Sequence, residues 1–227
     1  SWVYPGLLPG AFSLSTWQSE WPFLAPLLWQ TAGLALVSAS VGLVGALVCL
    51  EWQARRERFW PQWVLLLGLL VPQLPLVMGW QFGLSVLRLD PQGYWVLWAH
   101  CVFTFPYAYL MLSGDYRRFN RRWLLVGQSL GYSAPACWFR ILLPILKQPI
   151  LYAWVIAFSV SVAQYLPTQL LGAGRVVTVT TEAVNIGSGG DRRLLGLYAF
   201  WQLLLPLILL LSAALLNRRA RYRFAPR

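Results

Sequence analysis

Long apolar runs dominate this 227-residue chain and exclude most of the folds that a chain of its length could adopt. The chain is 58% hydrophobic and only 11% charged, which is too little polar surface to cover a soluble domain. A helix needs about 20 residues to cross the hydrocarbon core of a bilayer, and several runs reach that length. They do not alternate polar and apolar residues as transmembrane β-strands do. The sequence therefore predicts an all-α integral membrane protein.

About five transmembrane helices are predicted, and the distribution of basic residues orients them. The predicted spans are residues 24–50, 59–82, 94–112, 149–171 and 194–216. Of the eighteen Lys and Arg residues, fourteen fall in the segments 51–58, 113–148 and 217–227. Because basic loops remain in the cytoplasm, the N-terminus of the chain is predicted outside and the C-terminus inside. These loops also account for the net charge of +11, so we expect no nucleic-acid partner.

The outer segments follow from this orientation. Residues 1–23 carry several Trp residues and predict an extracytoplasmic segment with an interfacial aromatic belt. The Gly-rich residues 172–193 are predicted to be an outer loop. Because the chain opens with Ser1 and starts outside, we expect it to be the C-terminal part of a longer membrane polypeptide.

Small residues in the first span, and the few Cys and His side chains, are interpreted as packing groups. The small residues are Gly33, Ala35, Ser38, Ser40, Gly42 and Gly45, and such residues let helices approach closely in lipid. Cys49, Cys101 and Cys137 lack paired spacing, so they predict small buried groups or free thiols. His100 is interpreted as a helix-packed or interfacial histidine rather than a pore residue. We expect no metal site and no cofactor.

Uncharged polar residues inside two predicted spans mark a candidate solute path. In the second span Gln73 lies between Pro72 and Pro75, which predicts either a kinked helix along a path or a packed kink. The outer half of the fourth span contains Gln164, Tyr165, Thr168 and Gln169. Polar groups at membrane depth are typical of a pathway surface.

The largest polar insertion, about residues 113–148, is predicted to form two short cytoplasmic helices. Gly131 permits a turn between them. Ser133 is predicted to cap the second helix and Pro144 to end it. With apolar side chains such as Phe139 and basic flanks, this helix suits a groove on a soluble partner. The alternative is an amphipathic connector lying on anionic membrane lipid.

The insertion resembles a known motif. Residues 127–144 read GQSLGYSAPACWFRILLP, which is similar to the EAA loop of binding-protein-dependent ABC transporter permeases, the type I ABC importer permease core. The family pattern is Glu-Ala-Ala, three residues, Gly, nine residues, Ile, one residue, Leu-Pro. Its second half is matched by Gly131, Ile141, Leu143 and Pro144. Its first half is not, because Leu125, Val126 and Gly127 stand at the Glu-Ala-Ala positions.

The resemblance covers most of the chain as a single permease domain, residues 1–227. The flanking stretches LWAHCVFTFPYAY and TQLLGAGRVVTVTTEAV resemble the thiamine, ferric iron and sulfate branch, in which two permease halves are often fused. This implies a thiamine-type or inorganic-ion substrate and a location in the bacterial inner membrane. It also implies three protein partners: cytoplasmic ABC ATPase subunits, a second permease half and an extracytoplasmic solute-binding protein.

The resemblance also assigns roles to residues and leaves rivals to be weighed. It implies that Gly131, Ile141, Leu143 and Pro144, with Ser133 and Phe139 beside them, couple the chain to the ATPase, which hydrolyses ATP on a separate subunit. The chain itself is then not an enzyme. An ion-coupled secondary transporter or a membrane enzyme would need ionisable groups within the spans, and these are sparse. A membrane scaffold without transport is the remaining alternative.

Overall fold

The fold is helical throughout the residues that the computed structural model describes, which are 15–57, 69, 71–90 and 93–222, with side chains up to 217. In chain order the elements are α1 (Ser15–Arg55), α2 (Gln73–Val86), α3 (Gly93–Arg118), α4 (Arg122–Ser129), α5 (Ala134–Cys137), a π-helical turn (Trp138–Leu142), α6 (Leu143–Ile145), α7 (Lys147–Ala163), α8 (Leu166–Gly172), α9 (Val179–Gly189) and α10 (Arg192–Tyr222). The all-helical prediction is confirmed.

Three helices in this part of the chain, α1, α3 and α10, are long and apolar enough to cross a membrane. A fourth crossing is added if residues 134–145 and 147–163, whose axes differ by 76°, form one bent span. Several predicted spans are therefore confirmed as membrane-span candidates. Most of the predicted second span, 59–82, lies outside the described residues.

The kink predicted for the second span stays a prediction, because residues 58–68 and 70, which precede α2, lie outside the described part of the chain. Pro72 precedes α2 in an extended conformation, with φ −57° and ψ 130°. Pro75 lies in the first turn of α2, where the backbone N–H groups have no partner within the helix. Neither proline therefore interrupts the helix, which continues beyond the predicted span to Val86.

The core of the bundle forms where α1, α3 and α7 pack together, and small residues on α1 make the contact close. Ala35, Ser38 and Ala39 are fully buried. A Cβ on Gly42 would come within 2.7 Å of Thr104 Oγ1, so only glycine fits there without a shift of α3. The predicted packing role is confirmed at these positions but not at Gly33, which has open space around it.

Several boundaries differ from the predictions. Helix α1 runs from Ser15 to Arg55 rather than over the predicted span 24–50, so it includes residues predicted as outer segment and as basic loop. Helix α3 continues past the predicted end of its span to Arg118, because the polar residues GDYRR extend a helix beyond the apolar core as readily as they form a loop. The predicted outer loop 172–193 contains α9, which begins with a reciprocal capping box between Thr178 and Thr181. The last helix also extends beyond its predicted limits.

The predicted fourth span is broken. Helix α7 ends at Ala163, Gln164 adopts an extended ψ of 115°, and α8 restarts at Leu166. Pro167 has no backbone N–H to continue the α7 ladder, which accounts for the break. Four of the five candidate path residues lie at or just beyond this break, and the fifth, Gln73, lies on α2, which packs against α8.

Candidate coupling loop and solute path

The insertion between α3 and α7 contains the predicted turn at Gly131. Helix α4 ends at Ser129, and Gly131 follows with a φ of +88°. The N–H of Gly131 donates to the Gln128 carbonyl at 2.9 Å, and that of Tyr132 donates to the Gly127 carbonyl at 3.2 Å. No atom lies within 4 Å of an added Cβ. Glycine is required at position 131 by backbone conformation rather than by space.

The second half of the loop begins as predicted and ends later. Ser133 caps α5 by accepting a hydrogen bond from the Ala136 N–H at 3.4 Å. Pro144 does not end the helical path as predicted; it lies in the first turn of α6, where a missing N–H is tolerated. The 76° change of direction follows at Leu146, whose φ is −88° and ψ is 8°.

The two halves of the loop pack against each other through Gly127. A Cβ there would lie 2.7 Å from Ile141 Cδ1 and 2.8 Å from Cys137 Sγ. Ile141 and Leu143 are half-buried, and Leu142 is fully buried. The loop is therefore a small packed unit, and a glycine at position 127 lets its two helices approach within side-chain contact.

Large apolar side chains are also exposed on the surface of this unit. Those exposed by about half or more are Trp123, Leu125, Val126, Leu130, Phe139 and Ile145. Phe139, one of the predicted coupling residues, is 64% exposed and stacks edge-on against Trp138. An apolar face supported by its own packed core is a suitable docking surface for a protein partner.

Polar contacts that were not predicted attach the loop to the end of α1. Glu51 Oε2 accepts hydrogen bonds from the Tyr116 hydroxyl at 2.5 Å and from Arg121 Nη2 at 2.6 Å. Trp138 Nε1 donates to the same Tyr116 hydroxyl at 3.2 Å. Sequence reasoning treated residues 51–58 as a basic loop. The signal that it missed is a carboxylate at position 51, directly after an apolar run.

The candidate path residues lie in different environments. Gln73 is half-buried at the start of α2, Tyr165 is half-buried at the break between α7 and α8, and Gln169 is exposed on α8. Thr168 is completely buried and bonded within this chain. The break brings Gln164, Tyr165, Thr168 and Gln169 together, and the contact of α2 with α8 brings the helix of Gln73 beside them.

Gln164 stands out because its buried amide has no hydrogen-bond partner in the described structure. The residue is 3% exposed, and neither Oε1 nor Nε2 is bonded. An unpaired amide in an apolar medium costs on the order of 1–3 kcal/mol. Such a group is rarely retained in a native structure without a role.

His100 lies behind this break and is helix-packed, as predicted. Its Nδ1 is 2.8 Å from Ser161 Oγ on α7, and its Nε2 is 2.9 Å from Thr168 Oγ1 on α8. Ser38 donates to Ser161, and Thr168 donates to the Gln164 carbonyl. These directions are all satisfied when His100 carries its proton on Nε2, so a single chain of hydrogen bonds joins α1, α3, α7 and α8 across the break.

The comparison with known proteins decides the family. The chain is 39% identical over 190 residues to the inner membrane ABC transporter permease protein YnjC of Escherichia coli (strain K12), an alignment that covers 83% of this chain. It is 35% identical over 94 residues, 41% of the chain, to the spermidine/putrescine transport system permease protein PotC homolog of Mycoplasma pneumoniae. The chain belongs with the ABC transporter permeases. No family model matches it.

The alignments cover only part of each relative. They span 36% of the first protein and 32% of the second, so the chain spans about a third of the length of the curated relatives it matches. The predicted permease family is confirmed, and the thiamine, iron and sulfate branch remains a prediction.

Within this permease, the departures from the EAA pattern now have a structural description. Leu125 and Val126 are exposed on α4, by 61% and 53%, where the family pattern has Glu and Ala. Gly127 replaces the second Ala and is the position where α4 contacts Ile141 and Cys137. The loop thus retains a packed inner side and presents an apolar rather than an acidic outer side. No cluster of three or more His, Cys, Asp or Glu side chains that could hold a metal ion occurs in the described part of the chain.

Proposed function

We propose that the chain forms the transmembrane part of an ABC importer of the bacterial inner membrane and receives an ATPase subunit on the loop 119–146. The observation that carries this proposal is the apolar face described above, backed by the contact of Gly127 with Ile141 and by the turn at Gly131. The named relatives are permeases. ATP hydrolysis then occurs on the separate ATPase subunits.

In this proposal the distribution of Lys and Arg supports a membrane orientation with the loop 119–146 in the cytoplasm. The loop carries Arg121, Arg122 and Arg140, and Lys147 follows it at the start of α7. In this proposal these basic residues lie in the cytoplasm. The N-terminal end of α1 then lies outside and the C-terminal end of α10 inside. Residues 1–227 act as one permease domain, with the second permease half supplied by another segment or subunit and a solute-binding protein meeting the outer surface.

The solute path in this proposal runs beside the break between α7 and α8. The buried unpaired amide of Gln164 supports this location, because a passing solute or another conformation of the transporter would satisfy its hydrogen-bonding groups. Tyr165 and Gln169 are accessible beside it, and Gln73 approaches on α2. Thr168 serves the path indirectly by holding α8 through His100. Among transported solutes, we retain the thiamine-type or inorganic-ion class.

Co-purification tests the coupling role. The full native polypeptide is expressed with its neighbouring genes, solubilised in mild detergent and examined for a bound ATPase subunit. We expect capture by the native chain and loss of capture when Gly131→Leu distorts the turn or when Pro144→Leu alters the path into α7.

Gly190 provides the matched control for this experiment. It also has a positive φ, +85°, and open space around its Cβ position, but it lies at the end of α9 on the other side of the predicted membrane. Gly190→Leu imposes the same kind of backbone strain and should retain the ATPase. Absence of an ATPase from the native sample would favour the lipid-bound connector, and with it an ion-coupled transporter or a scaffold.

A further inference from the structure

Building on the proposed function, we propose that Glu51 is a positioning residue that fixes the coupling loop to the first span, so that the loop and α1 move as one unit. Neither relative's name nor the EAA pattern assigns a role to this residue. The proposal rests on the contacts of one carboxylate with its own helix, with α3 and with the start of α4.

The carboxylate of Glu51 is almost fully engaged. Its side chain is 14% exposed. Oε1 accepts from Arg55 Nε at 2.7 Å, while Oε2 accepts from Tyr116 and Arg121. A carboxylate that is largely removed from water is tolerated when charged and hydrogen-bonded partners surround it. Charge-assisted hydrogen bonds of this length are stronger than neutral ones.

These contacts reach both halves of the loop. Arg121 directly precedes α4, so its bond to Glu51 fixes the start of the first loop helix. Tyr116 lies in the last turn of α3 and accepts a hydrogen bond from Trp138, where the π-helical turn begins. One carboxylate therefore links α1 to the entrance of the loop directly and to its second half through a single hydroxyl.

The apolar contacts between the loop and α1 impose no directional constraint on the loop. Leu142 and Leu146 share a buried cluster with Leu50 of α1, but such contacts are non-directional. Hydrogen bonds with short, fixed geometry add the directional constraint. A displacement imposed on the loop by an ATPase would then reach α1, whose buried face contacts α3 and α7.

The expected signature is a single fixed distance between the loop and α1. Nitroxide labels are placed on cysteines introduced at Val48, which is exposed on α1, and at Ser129, which is exposed at the end of α4, after the three native cysteines are replaced by alanine. The distance between the labels is measured by pulsed electron paramagnetic resonance in the full-length chain, with and without its ATPase. With Glu51 present we expect one narrow distance in both states.

Removing the link should abolish that narrow distance. We expect Glu51→Gln and Arg121→Gln to give broad distance distributions. Arg55→Gln is the matched control, because Arg55 pairs with the same carboxylate but lies on the same helix as Glu51 and is 56% exposed. It should leave the distance narrow. The charge exchange Glu51→Arg with Arg121→Glu should restore a narrow distance, which a general loss of stability would not produce.

The outcomes separate the two proposals. A narrow distance in Glu51→Gln, a broad distance in Arg55→Gln, or no recovery in the charge exchange would each overturn the positioning role. Failure of the native chain to capture an ATPase would overturn the proposed function, and the distance measured in the chain alone would still decide the role of Glu51.

Discussion

Two clusters of hydrogen bonds join separate helices of this permease, and one of them is charged while the other is neutral. The Glu51 cluster at the C-terminal end of α1 joins a carboxylate to Arg55, Arg121 and Tyr116. The His100 cluster in the bundle joins an imidazole to the hydroxyls of Ser161 and Thr168. The first is charged and partly exposed, since Arg121 is 33% exposed. The second is neutral, and its members are at most 2% exposed.

The difference follows from the surroundings of each cluster. Near the membrane surface water reaches the partners, so charges can be retained and an ion pair can exchange with solvent at modest cost. Within the bundle an unpaired charge would be far more costly, and hydroxyls with one imidazole satisfy each other instead. The charged cluster therefore suits a junction that receives force from a partner, while the neutral one suits a permanent clamp across the broken span.

The largest effect on stability should come from breaking the neutral cluster. Replacing His100 with Leu removes both of its interhelical hydrogen bonds at similar volume. Interhelical hydrogen bonds in membranes contribute about 0.6 to 1.7 kcal/mol each, so we expect a loss of about 1–3 kcal/mol in the free energy of unfolding. Denaturation in mixed detergent micelles, followed by circular dichroism, measures this.

A substitution of a partly exposed residue on the same helix is the control for His100→Leu. Tyr107 is 37% exposed on α3, and Tyr107→Leu should change the unfolding free energy by less than about 0.5 kcal/mol. If the two variants unfold with the same free energy, the His100 cluster does not clamp the break, and the hydrogen-bond chain across α7 and α8 has no structural role.

The break itself shows what the sequence could and could not reveal. The apolar runs predicted the helices because a membrane permits little else. The helix break after Ala163 was not predicted from these runs. Gln164 and Pro167 change the backbone conformation there but hardly change the mean hydropathy of the predicted span. Sequence reasoning selected Gln164 and Thr168 for their polarity, but it could not show that Thr168 faces His100 inside the chain.

The turn and the helix cap in the loop 119–146 were predicted correctly, unlike the break in the fourth span, because local residues determine them. Gly131 and Ser133 impose local backbone rules that need no tertiary information, and the turn and the cap are found where they were expected. The contact between Glu51 and Arg121 joins residues 70 positions apart. Nothing in the local pattern distinguishes it from the charges that orient a membrane protein, so only the folded chain reveals it.

The next largest effect on stability is expected for Glu51→Gln, and its dependence on salt should distinguish the charged cluster from the neutral one. At low salt we expect Glu51→Gln to lower the free energy of unfolding by about 1 kcal/mol. Because the Debye length falls from about 10 Å at 0.1 M to about 3 Å at 1 M ionic strength, this cost should shrink at high salt. The cost of His100→Leu should stay constant. Micelle unfolding at the two salt concentrations measures both, and a salt-independent Glu51→Gln would indicate that its hydrogen bond to Tyr116, not the ion pair, provides the stabilisation.

The smallest effect on the free energy of unfolding is expected at Ser38, the end of the hydrogen-bond series that runs through Ser161 to His100. Ser38 donates to Ser161, which in turn faces His100. Ser38→Ala removes one such bond, and we expect a loss of about 0.6 kcal/mol. A double-mutant cycle of Ser38→Ala with His100→Leu isolates the coupling between them, because both residues bond to Ser161 and not to each other. A non-zero coupling energy means that the hydrogen bonds polarise one another as a chain. If the two losses of unfolding free energy simply add, the hydrogen bonds of the His100 cluster act as independent pairs. The His100 and Glu51 clusters would then differ only in charge.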